Sequence, residues 1–308
     1  MILIVNLNLA VDRIIQIDNL RPGRVHRSKS TLRQAGGKGV NVARVLKTLN
    51  ERCLISGFLG GRSGEFIACE LQAEGLEGSY IPIRNESRTC LILAENGRQT
   101  VINEPGPVVD SDELMQFTGR YLHLLEDAEL VLITGSLPLG LSDDTYADFI
   151  SRAHQAGKRV LLDCSSRALS QAIRARPFMV KINNSEAGEL LGRSITDLAD
   201  AAAATSELQD MGATHAMITL GEQGAVLAFD KTKYKFTSPA VRAGNSVGSG
   251  DAVMAGVAAG LLRGLQIKDL GILAVAAGAA NALHGSGHCT AEEISQLQPQ
   301  VHCSEEEN

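Results

Sequence analysis

The segment from Gly244 to Asp251 carries the clearest chemical signal in the sequence. It reads GNSVGSGD and runs directly into a helical pattern over residues 252–262. Glycines let the backbone approach a ligand closely, and the unpaired amides of a helix start attract anions. An acidic residue at an anion site is a paradox unless Asp251 takes the proton of a hydroxyl that attacks a phosphate. The alternative is that Asp251 caps the helix and that the glycines only form a turn.

A second glycine-rich helix start lies near the amino terminus. Residues 35–41 read AGGKGVN, and the helical pattern that follows has an apolar face formed by Val42, Val45, Leu46 and Leu49. Consecutive glycines would let a sugar hydroxyl meet backbone amides, and Asn41 offers a polyol both a donor and an acceptor. The alternative is an ordinary tight turn before a helix.

Short apolar runs alternate with helical patterns along most of the chain. The runs, at residues 2–5, 53–58, 130–134, 159–163, 179–182, 216–220 and 225–229, are typical of strands buried on both faces. The helical patterns cover residues 65–74, 111–126, 142–156, 185–191 and 196–211, followed by two Ala-rich helices within 251–284. This alternation predicts an α/β fold with a doubly wound, mostly parallel sheet flanked by helices.

Two segments depart from this alternation. Residues 11–33 and 87–103 resemble extended strands, and the second carries a turn at Glu95-Asn96-Gly97. We expect them to form a small β-sheet over one edge of the main domain. The acidic tail at residues 304–308 is predicted to be disordered.

Small polar residues and glycines follow the predicted strands. They are Asn6–Asn8, residues 57–61, Gly135, Ser136, Asp163, Asn183 and Gly221. Ligands of open α/β sheets bind beyond the carboxyl ends of the strands. The sequence therefore predicts a polar crevice at that edge, suited to a phosphate or a sugar.

Composition and charge exclude several classes of function. The chain has 308 residues, 44% of them hydrophobic, and a formal net charge of −6 with interspersed charges. It has no basic stripe that could follow a nucleic-acid backbone, no CxxC pair and no apolar run long enough to span a bilayer. We therefore expect a soluble cytoplasmic protein that binds neither nucleic acid nor a membrane.

Together the two glycine-rich motifs resemble the ribokinase-like (PfkB) carbohydrate kinases, and the resemblance covers essentially the whole chain. Residues 8–12 (NLAVD) are similar to the N-terminal substrate loop of that family. Residues 87–89 (SRT), 103–107 (NEPGP) and 134–138 (TGSLP) resemble its phosphofructokinase and tagatose-6-phosphate kinase branch. Residues 181–186 (KINNSE) resemble the element that helps to place Mg²⁺ and phosphates, and residues 219–224 (TLGEQG) resemble a loop that contacts nucleotide phosphates.

The resemblance implies a role for each matching residue. Asp251 would be the base, and Gly248, Ser249 and Gly250 would form the anion hole. The sugar would be bound by Asp12, Gly36, Gly37, Lys38, Asn41, Arg88 and Ser136. ATP would be bound by Lys181, Asn183, Thr219, Gly221, Gly224 and Asn281, with Glu186 placing Mg²⁺. The resemblance further implies one kinase domain over residues 1–308, a β lid built from about residues 11–35 and 87–104, and a homodimer paired through that lid.

Arg88 bears on the choice of substrate. In the phosphosugar branch an arginine at this position contacts the phosphate that the substrate already carries, which a guanidinium can hold through two parallel hydrogen bonds. The alternative is a surface salt bridge on an exposed strand. Lys38 could share the contact with the phosphate.

The resemblance implies transfer of phosphate from ATP to a ketohexose phosphate. A 1-phosphofructokinase that produces fructose 1,6-bisphosphate is the first choice, followed by a tagatose-6-phosphate kinase or a 6-phosphofructokinase. A kinase of an unphosphorylated sugar or nucleoside and a non-catalytic sugar- or nucleotide-binding regulator also stay open. Ala252 stands where the family usually has Ser or Thr, and Leu9 and Ile182 stand where proline is common, which leaves rate and exact substrate open.

Overall fold

The computed structural model describes residues 1–95 and 98–307, so Asn96 and Gly97 of the expected turn lie outside the described residues. The strands are β1 (Ile2–Val5), β2 (Ala10–Gln16), β3 (Ser30–Gly36), β4 (Cys53–Gly60), β5 (Glu77–Ile83), β6 (Arg88–Glu95), β7 (Arg98–Asn103), β8 (Leu130–Thr134), β9 (Arg159–Asp163), β10 (Met179–Asn183), β11 (His215–Thr219), β12 (Ala225–Phe229), β13 (Thr232–Thr237) and β14 (His302–Glu307). The helices are α1 (Lys38–Thr48), α2 (Gly61–Ala73), α3 (Ser111–Asp127), α4 (Thr145–Gln155), α5 (Ser166–Ala172), α6 (Asn184–Leu191), α7 (Leu198–Met211), α8 (Ser249–Leu262), α9 (Ile267–His284) and α10 (Ala291–Leu297).

The main sheet has the strand order β14-β13-β12-β11-β10-β9-β8-β1-β4-β5. Neighbours from β5 to β11 are parallel, and the pairs from β11 to β14 are antiparallel. The central strands are mostly apolar because they are covered on both faces. In β1, for example, Ile2 and Ile4 enter one hydrophobic core while Leu3 and Val5 enter the other. The predicted doubly wound, mostly parallel sheet is confirmed.

The helices lie on both faces of this sheet. Residues of α1, α8 and α9 contribute to one core, and residues of α3, α4 and α7 contribute to the other. The two Ala-rich helices expected within residues 251–284 are α8 and α9. None of the helices in the described ranges combines the length and the apolar character that crossing a membrane requires.

The prediction of a disordered acidic tail is wrong for residues 304–307. They belong to β14, which pairs antiparallel with β13 and extends the main sheet. The Lys235 Nζ lies 2.5 Å from the Glu306 Oε1 across the two strands. Because opposite charges on neighbouring strands attract each other, the lysines of β13 stabilise the pairing of the acidic strand β14 with β13.

A separate four-stranded sheet has the order β3-β2-β6-β7. Strands β2 and β3 form one antiparallel pair, β6 and β7 form another, and the pairs join through parallel contacts between β2 and β6. We call this unit the second sheet. Its strand β3 leads into α1 through Gly37, so it is connected directly to the predicted site.

Candidate functional site

Polar side chains collect at the carboxyl-terminal edge of the main sheet. Thr134 ends β8 and is paired in register with Asp163, which ends β9. Asn183 ends β10, and Asn6 follows β1 directly. Because parallel strands present their carboxyl ends at one edge, these residues form a common floor. The amino end of α1 contacts this floor, because the Gly39 amide donates to the Asn6 Oδ1, and Asn41 of α1 in turn donates to Asp251 at the start of α8.

Asp251 is buried in the first turn of α8, facing α1. Its Oδ2 accepts a hydrogen bond of 2.8 Å from the Nδ2 of Asn41. Burial raises the pKa of Asp251 to about 6, and the negative charge of Asp163 adds to this rise against the opposing lysines of the site. A carboxyl group with such a pKa is ionised at neutral pH and still basic enough to accept a proton.

The loop before Asp251 forms the start of α8. Gly248 is the N-cap residue, in the left-handed region at φ 82°, and no side chain caps the helix. Asp251 is the third residue of α8, so the alternative that it serves as the N-cap is excluded. A Cβ on Gly250 would lie 2.9 Å from the Lys181 Nζ, which shows how closely the loop packs against that ammonium. The helix start therefore exposes amides beside two positive features, a lysine and the helix dipole.

A buried network of charges lies beside this loop. The carboxylate of Asp163 is fully buried and accepts from the Nζ of Lys38 at 2.7 Å and from the Nζ of Lys181 at 2.6 Å. Lys38 also lies 3.2 Å from the Oε1 of Glu186. Burial disfavours the charge on Asp163, but the two lysines outweigh it and hold its pKa below the usual value.

The charge of Lys38 also depends on the balance between burial and neighbouring charges. Burial works against its ammonium, yet the carboxylates of Asp163 and Glu186 outweigh burial and raise its pKa above the usual value. The resemblance assigned Lys38 to the sugar. In the structure its ammonium lies beside Glu186 and shares Asp163 with Lys181, the two residues assigned to the metal and the nucleotide.

Asn183 and Glu186 form a capping box at the start of α6. The Glu186 amide donates to the Asn183 Oδ1 at 2.8 Å, and the Asn183 amide donates to the Glu186 Oε2 at 2.9 Å. With Lys38 on its other oxygen, the Glu186 carboxylate is held in one orientation at the edge of the floor. Asn183 therefore serves to orient Glu186.

Asp12 lies on β2, where the second sheet meets the floor. Its carboxyl group fills the space of a side chain on Gly36, so any Cβ at residue 36 would overlap it. Burial raises the pKa of Asp12 to about 6, and Arg44 and Arg88 oppose this rise. A side chain at residue 36 would therefore displace the carboxyl group of Asp12.

Several buried polar atoms around Asp12 have no hydrogen-bond partner within the described part of the chain. They are Asn8 Oδ1, Gln34 Nε2 and Asn41 Oδ1. Gln34 is the cross-strand neighbour of Asp12 in the second sheet. Since buried polar groups are normally paired, this set of donors and acceptors indicates a polar ligand such as a polyol.

Arg88, at the start of β6, is half-buried, and its guanidinium donates hydrogen bonds to two backbone carbonyls. Its Nε donates to the carbonyl of Asn8 and its Nη1 to the carbonyl of Glu104, both at 3.3 Å. It forms no salt bridge with any residue of the described ranges, so the surface-salt-bridge alternative is wrong. Ser136 lies nearby, with its Oγ accepting from the Nδ2 of Asn8 at 3.1 Å.

A cavity of about 500 Å³ opens on the other side of the α8 start. It is lined by the predicted residues Thr219, Gly221, Gly224, Ser249 and Gly250. Its far wall is apolar and includes Val253, Val275 and Ala279. A cleft with an anion site at one end and an apolar wall at the other suits a nucleotide.

Asn281 does not line this cavity. It is fully buried on α9, and its Nδ2 donates to the Val247 carbonyl at 3.0 Å and to the Ser249 Oγ at 3.1 Å. Its Oδ1 accepts from the Gly287 amide at 2.8 Å. The side chain expected beside adenine therefore supports the loop before α8, with its amide nitrogen and oxygen both bonded inside the protein.

The predicted residues thus form three neighbouring groups. The sugar group contains Asp12, Gly36, Gly37, Asn41, Arg88 and Ser136, the charged group contains Lys38, Lys181, Asn183 and Glu186, and the cavity group contains Thr219, Gly221 and Gly224. Asp251 and its loop lie between them. Asp163, the centre of the charged group, was given no role by motif matching, although its place after a predicted strand marked it. Nothing in the local sequence marks Gln34 or Arg44.

Comparison with known proteins identifies relatives of nearly the whole chain. The profile of the pfkB family carbohydrate kinases matches residues 2–293. The chain is 34% identical to 1-phosphofructokinase of Bacillus subtilis and 32% identical to tagatose-6-phosphate kinase of Staphylococcus epidermidis, over 98% of each chain in both comparisons. The structure of phosphofructokinase-2 from Escherichia coli in complex with potassium superimposes with a TM-score of 0.90 at 26% identity, covering 97% of this chain and 98% of that one.

These similarities extend over both sheets and across all three groups of the site. The ribokinase-like fold expected from the sequence is thereby confirmed. The chain belongs to the pfkB family of carbohydrate kinases.

Proposed function

We propose that this kinase transfers the γ-phosphate of ATP to a ketohexose phosphate, with fructose 1-phosphate as the first candidate and fructose 1,6-bisphosphate as the product. The observation that carries the proposal is the position of Asp251. It lies between buried polar groups that could bind a polyol and a cavity of a size that suits a nucleotide. The names of two full-length relatives, a 1-phosphofructokinase and a tagatose-6-phosphate kinase, support a phosphorylated acceptor. Tagatose 6-phosphate and fructose 6-phosphate are the next candidates.

Asp251 would act as the base. Its Oδ2 is held by Asn41, which leaves the other oxygen free to accept the proton of an attacking hydroxyl. The amides at the start of α8 and the ammonium of Lys181 lie where negative charge develops during transfer. Little covalent chemistry is required of the protein, because phosphoryl transfer depends mainly on position and on charge stabilisation.

Mg²⁺ would be held at the Glu186 end of the charged group. The Glu186 carboxylate is oriented by Asn183 and Lys38 but is not fully buried. Mg²⁺ in kinases keeps several waters and binds one or two carboxylates together with phosphate oxygens, so a single oriented carboxylate fits it. The ion would neutralise phosphate charge and help to align the groups.

Arg88 would bind the phosphate that the sugar already carries. Replacing Arg88 with alanine is expected to lower kcat/KM for fructose 1-phosphate about a hundredfold, because two charge-assisted hydrogen bonds are lost. The value for unphosphorylated fructose should change little. A coupled kinase assay over fructose 1-phosphate, fructose 6-phosphate, tagatose 6-phosphate and fructose measures both effects.

Arg84→Ala is the matched control. Arg84 is a neighbouring arginine whose side chain is 80% exposed and pairs with Asp110 on the surface. It should leave all four substrates unaffected. Equal losses on fructose and its phosphates in Arg88→Ala would favour a kinase of an unphosphorylated sugar or nucleoside. Absence of turnover by the unmodified protein across sugars, sugar phosphates and nucleosides would favour a non-catalytic regulator.

We further propose that the second sheet is the lid of this site and that two copies pair through it. Strands β2, β3 and β6 carry Asp12, Gly36 and Arg88, while Leu32, Val101 and Ile102 of the same sheet are about half exposed. Large exposed apolar groups on one sheet indicate an interface.

The expected mass in light scattering is twice the 32.7 kDa of one chain. Ile102→Asp should shift the protein towards the monomer, because a charge on the interface would be desolvated. Leu122→Asp, on the exposed side of α3, is the control and should not. A monomeric unmodified protein at all concentrations would rule out the pairing.

A further inference from the structure

Arg44 is a buried cation outside the groups that would bind substrates. It lies on α1, one turn after Asn41, and only 5% of its side chain is exposed. Its Nε and Nη2 donate to the two carboxylate oxygens of Glu74 at 2.7 and 2.6 Å, at the end of α2. The Nη1 and Nη2 groups also donate to backbone carbonyls, and these contacts are not required for an ion pair with Glu74.

Those contacts join two separate parts of the molecule. The Nη2 donates to the carbonyl of Ala35 at 2.9 Å, in β3 directly before Gly36. The Nη1 donates to the carbonyl of Ser286 at 3.1 Å, in the loop after α9. One side chain therefore connects the second sheet to that loop.

The loop after α9 is an unusual piece of backbone. Gly285, Ser286 and Gly287 all have positive φ, at 83°, 54° and 82°. Serine in this region is strained, so the conformation persists only where surrounding contacts hold it. A Cβ on Gly287 would lie 2.9 Å from the Arg44 Cβ, so the loop packs directly on α1.

From this loop the contacts continue to the start of α8. The Ser286 amide donates to the Val247 carbonyl at 2.7 Å, and Val247 precedes the N-cap Gly248. A Cβ on Gly248 would lie 3.3 Å from the Ser286 Cα and 3.1 Å from the Asn41 Nδ2. The loop before Asp251, residues 244–250, is called the anion loop, and its position thus depends on Ser286 and on α1 together.

We propose that Arg44 is a positioning residue that holds the second sheet, α1 and the anion loop in one arrangement, so that Asn41 and Gly248 stay aligned with Asp251. The proposal rests on the kinase function proposed above and adds a residue to it. Arg44 touches neither substrate nor Asp251 and acts only through Ala35 and Ser286. Its bond to the carbonyl of Ala35, the residue before Gly36, places it beside the residues predicted to bind the sugar.

Arg44→Lys separates this role from simple ion pairing. Lysine keeps the charge and can pair with Glu74, but a single ammonium cannot also reach the carbonyls of Ala35 and Ser286. We expect kcat to fall about tenfold or more because small displacements of reacting groups are costly. The KM for ATP should change less, since the apolar wall of the cavity lies elsewhere.

Glu74→Gln is the matched control. It removes the charge of the partner while leaving an amide oxygen that Arg44 can still use. We expect a lower melting temperature with a kcat close to that of the unmodified protein, measured well below the melting temperature of both variants. A kcat loss in Arg44→Lys no greater than in Glu74→Gln would overturn the inference.

Hydrogen exchange supplies a readout that needs no substrate. In Arg44→Lys, peptides covering residues 246–250 and 284–288 should exchange faster than in the unmodified protein, and in Glu74→Gln they should not. If both peptides exchange in Arg44→Lys at the rate of the unmodified protein, the inference is overturned, even if the kinase activity is confirmed. Faster exchange in a protein that phosphorylates no sugar keeps the positioning role and removes the proposed function. If Arg44→Lys does not fold, Arg44→Gln replaces it, and failure of both to fold makes Arg44 a purely structural residue.

Discussion

Asp251→Asn is expected to lower kcat for sugar-phosphate phosphorylation about a thousandfold, within the range that a general base contributes. Asparagine keeps the shape of the side chain and can still accept the hydrogen bond from Asn41. It cannot take a proton from the attacking hydroxyl. ADP affinity, measured by calorimetry, should stay nearly unchanged because the cavity wall is built by Val253, Val275 and Ala279.

The control for this substitution is Asp269→Asn. Asp269 is an exposed aspartate in the first turn of α9, so the same change is made at a comparable helix position without a site around it. It should leave kcat unaffected. More than about a hundredth of normal kcat in Asp251→Asn would contradict the role of Asp251 as base, since general-base loss costs at least about a hundredfold.

The pH dependence of kcat/KM follows from the same residue. Burial raises the pKa of Asp251 and of Asp12 to about 6, and a base must be ionised to accept a proton. The value of kcat/KM should therefore reach a plateau above about pH 7 and fall steadily below about pH 6. The fall is about tenfold per pH unit if one carboxylate must be ionised and steeper if both must be. In Asp12→Asn the steeper component should disappear.

The fold could be predicted where local sequence decides the structure. Strands covered on both faces, such as β1 and β9, are continuous apolar runs that need no tertiary information to be recognised. Strands β5, β13 and β14, at the two ends of the main sheet, were not predicted. Their sequences, EGSYIPI, TKYKFT and HCSEEE, each contain several polar residues, because one face or one edge stays in water. Pairing with distant residues, which the local pattern does not contain, decides that they are strands.

The candidate site, like the fold, could be predicted only where the local sequence decides the structure. Asp251, Asn41 and the glycines could be identified because their types and order carry chemistry. The contacts of Lys38 and Asn281 could not be predicted from motifs, since they depend on which buried groups are near enough to bond with them. Gln34 and Arg44 were not predicted as site residues, because a polar residue in a strand or helix normally faces solvent.

Asp163→Asn is expected to destabilise the fold by about 3–5 kcal/mol, as is typical when one partner of a buried ion pair is removed. The carboxylate of Asp163 is fully buried between the ammonium groups of Lys38 and Lys181. An asparagine oxygen can accept a hydrogen bond but carries no charge to balance two lysines. Denaturant unfolding at pH 7 measures the loss. Asp148→Asn, at an exposed pair with Arg152, is the control and should change stability by less than about 1 kcal/mol.

The pH dependence of this loss tests its cause. The two lysines hold the pKa of Asp163 below its usual value in the folded state, so its stabilising contribution is complete above the unfolded pKa. As pH falls through the folded pKa, Asp163 is protonated and the difference between the variant and the unmodified protein should shrink. The negative charge of Asp163 also helps to raise the pKa of Asp251. The acid limb of kcat/KM should therefore move to lower pH in whatever activity Asp163→Asn retains, and a limb that stays near pH 6 would show that Asp163 does not act on the base.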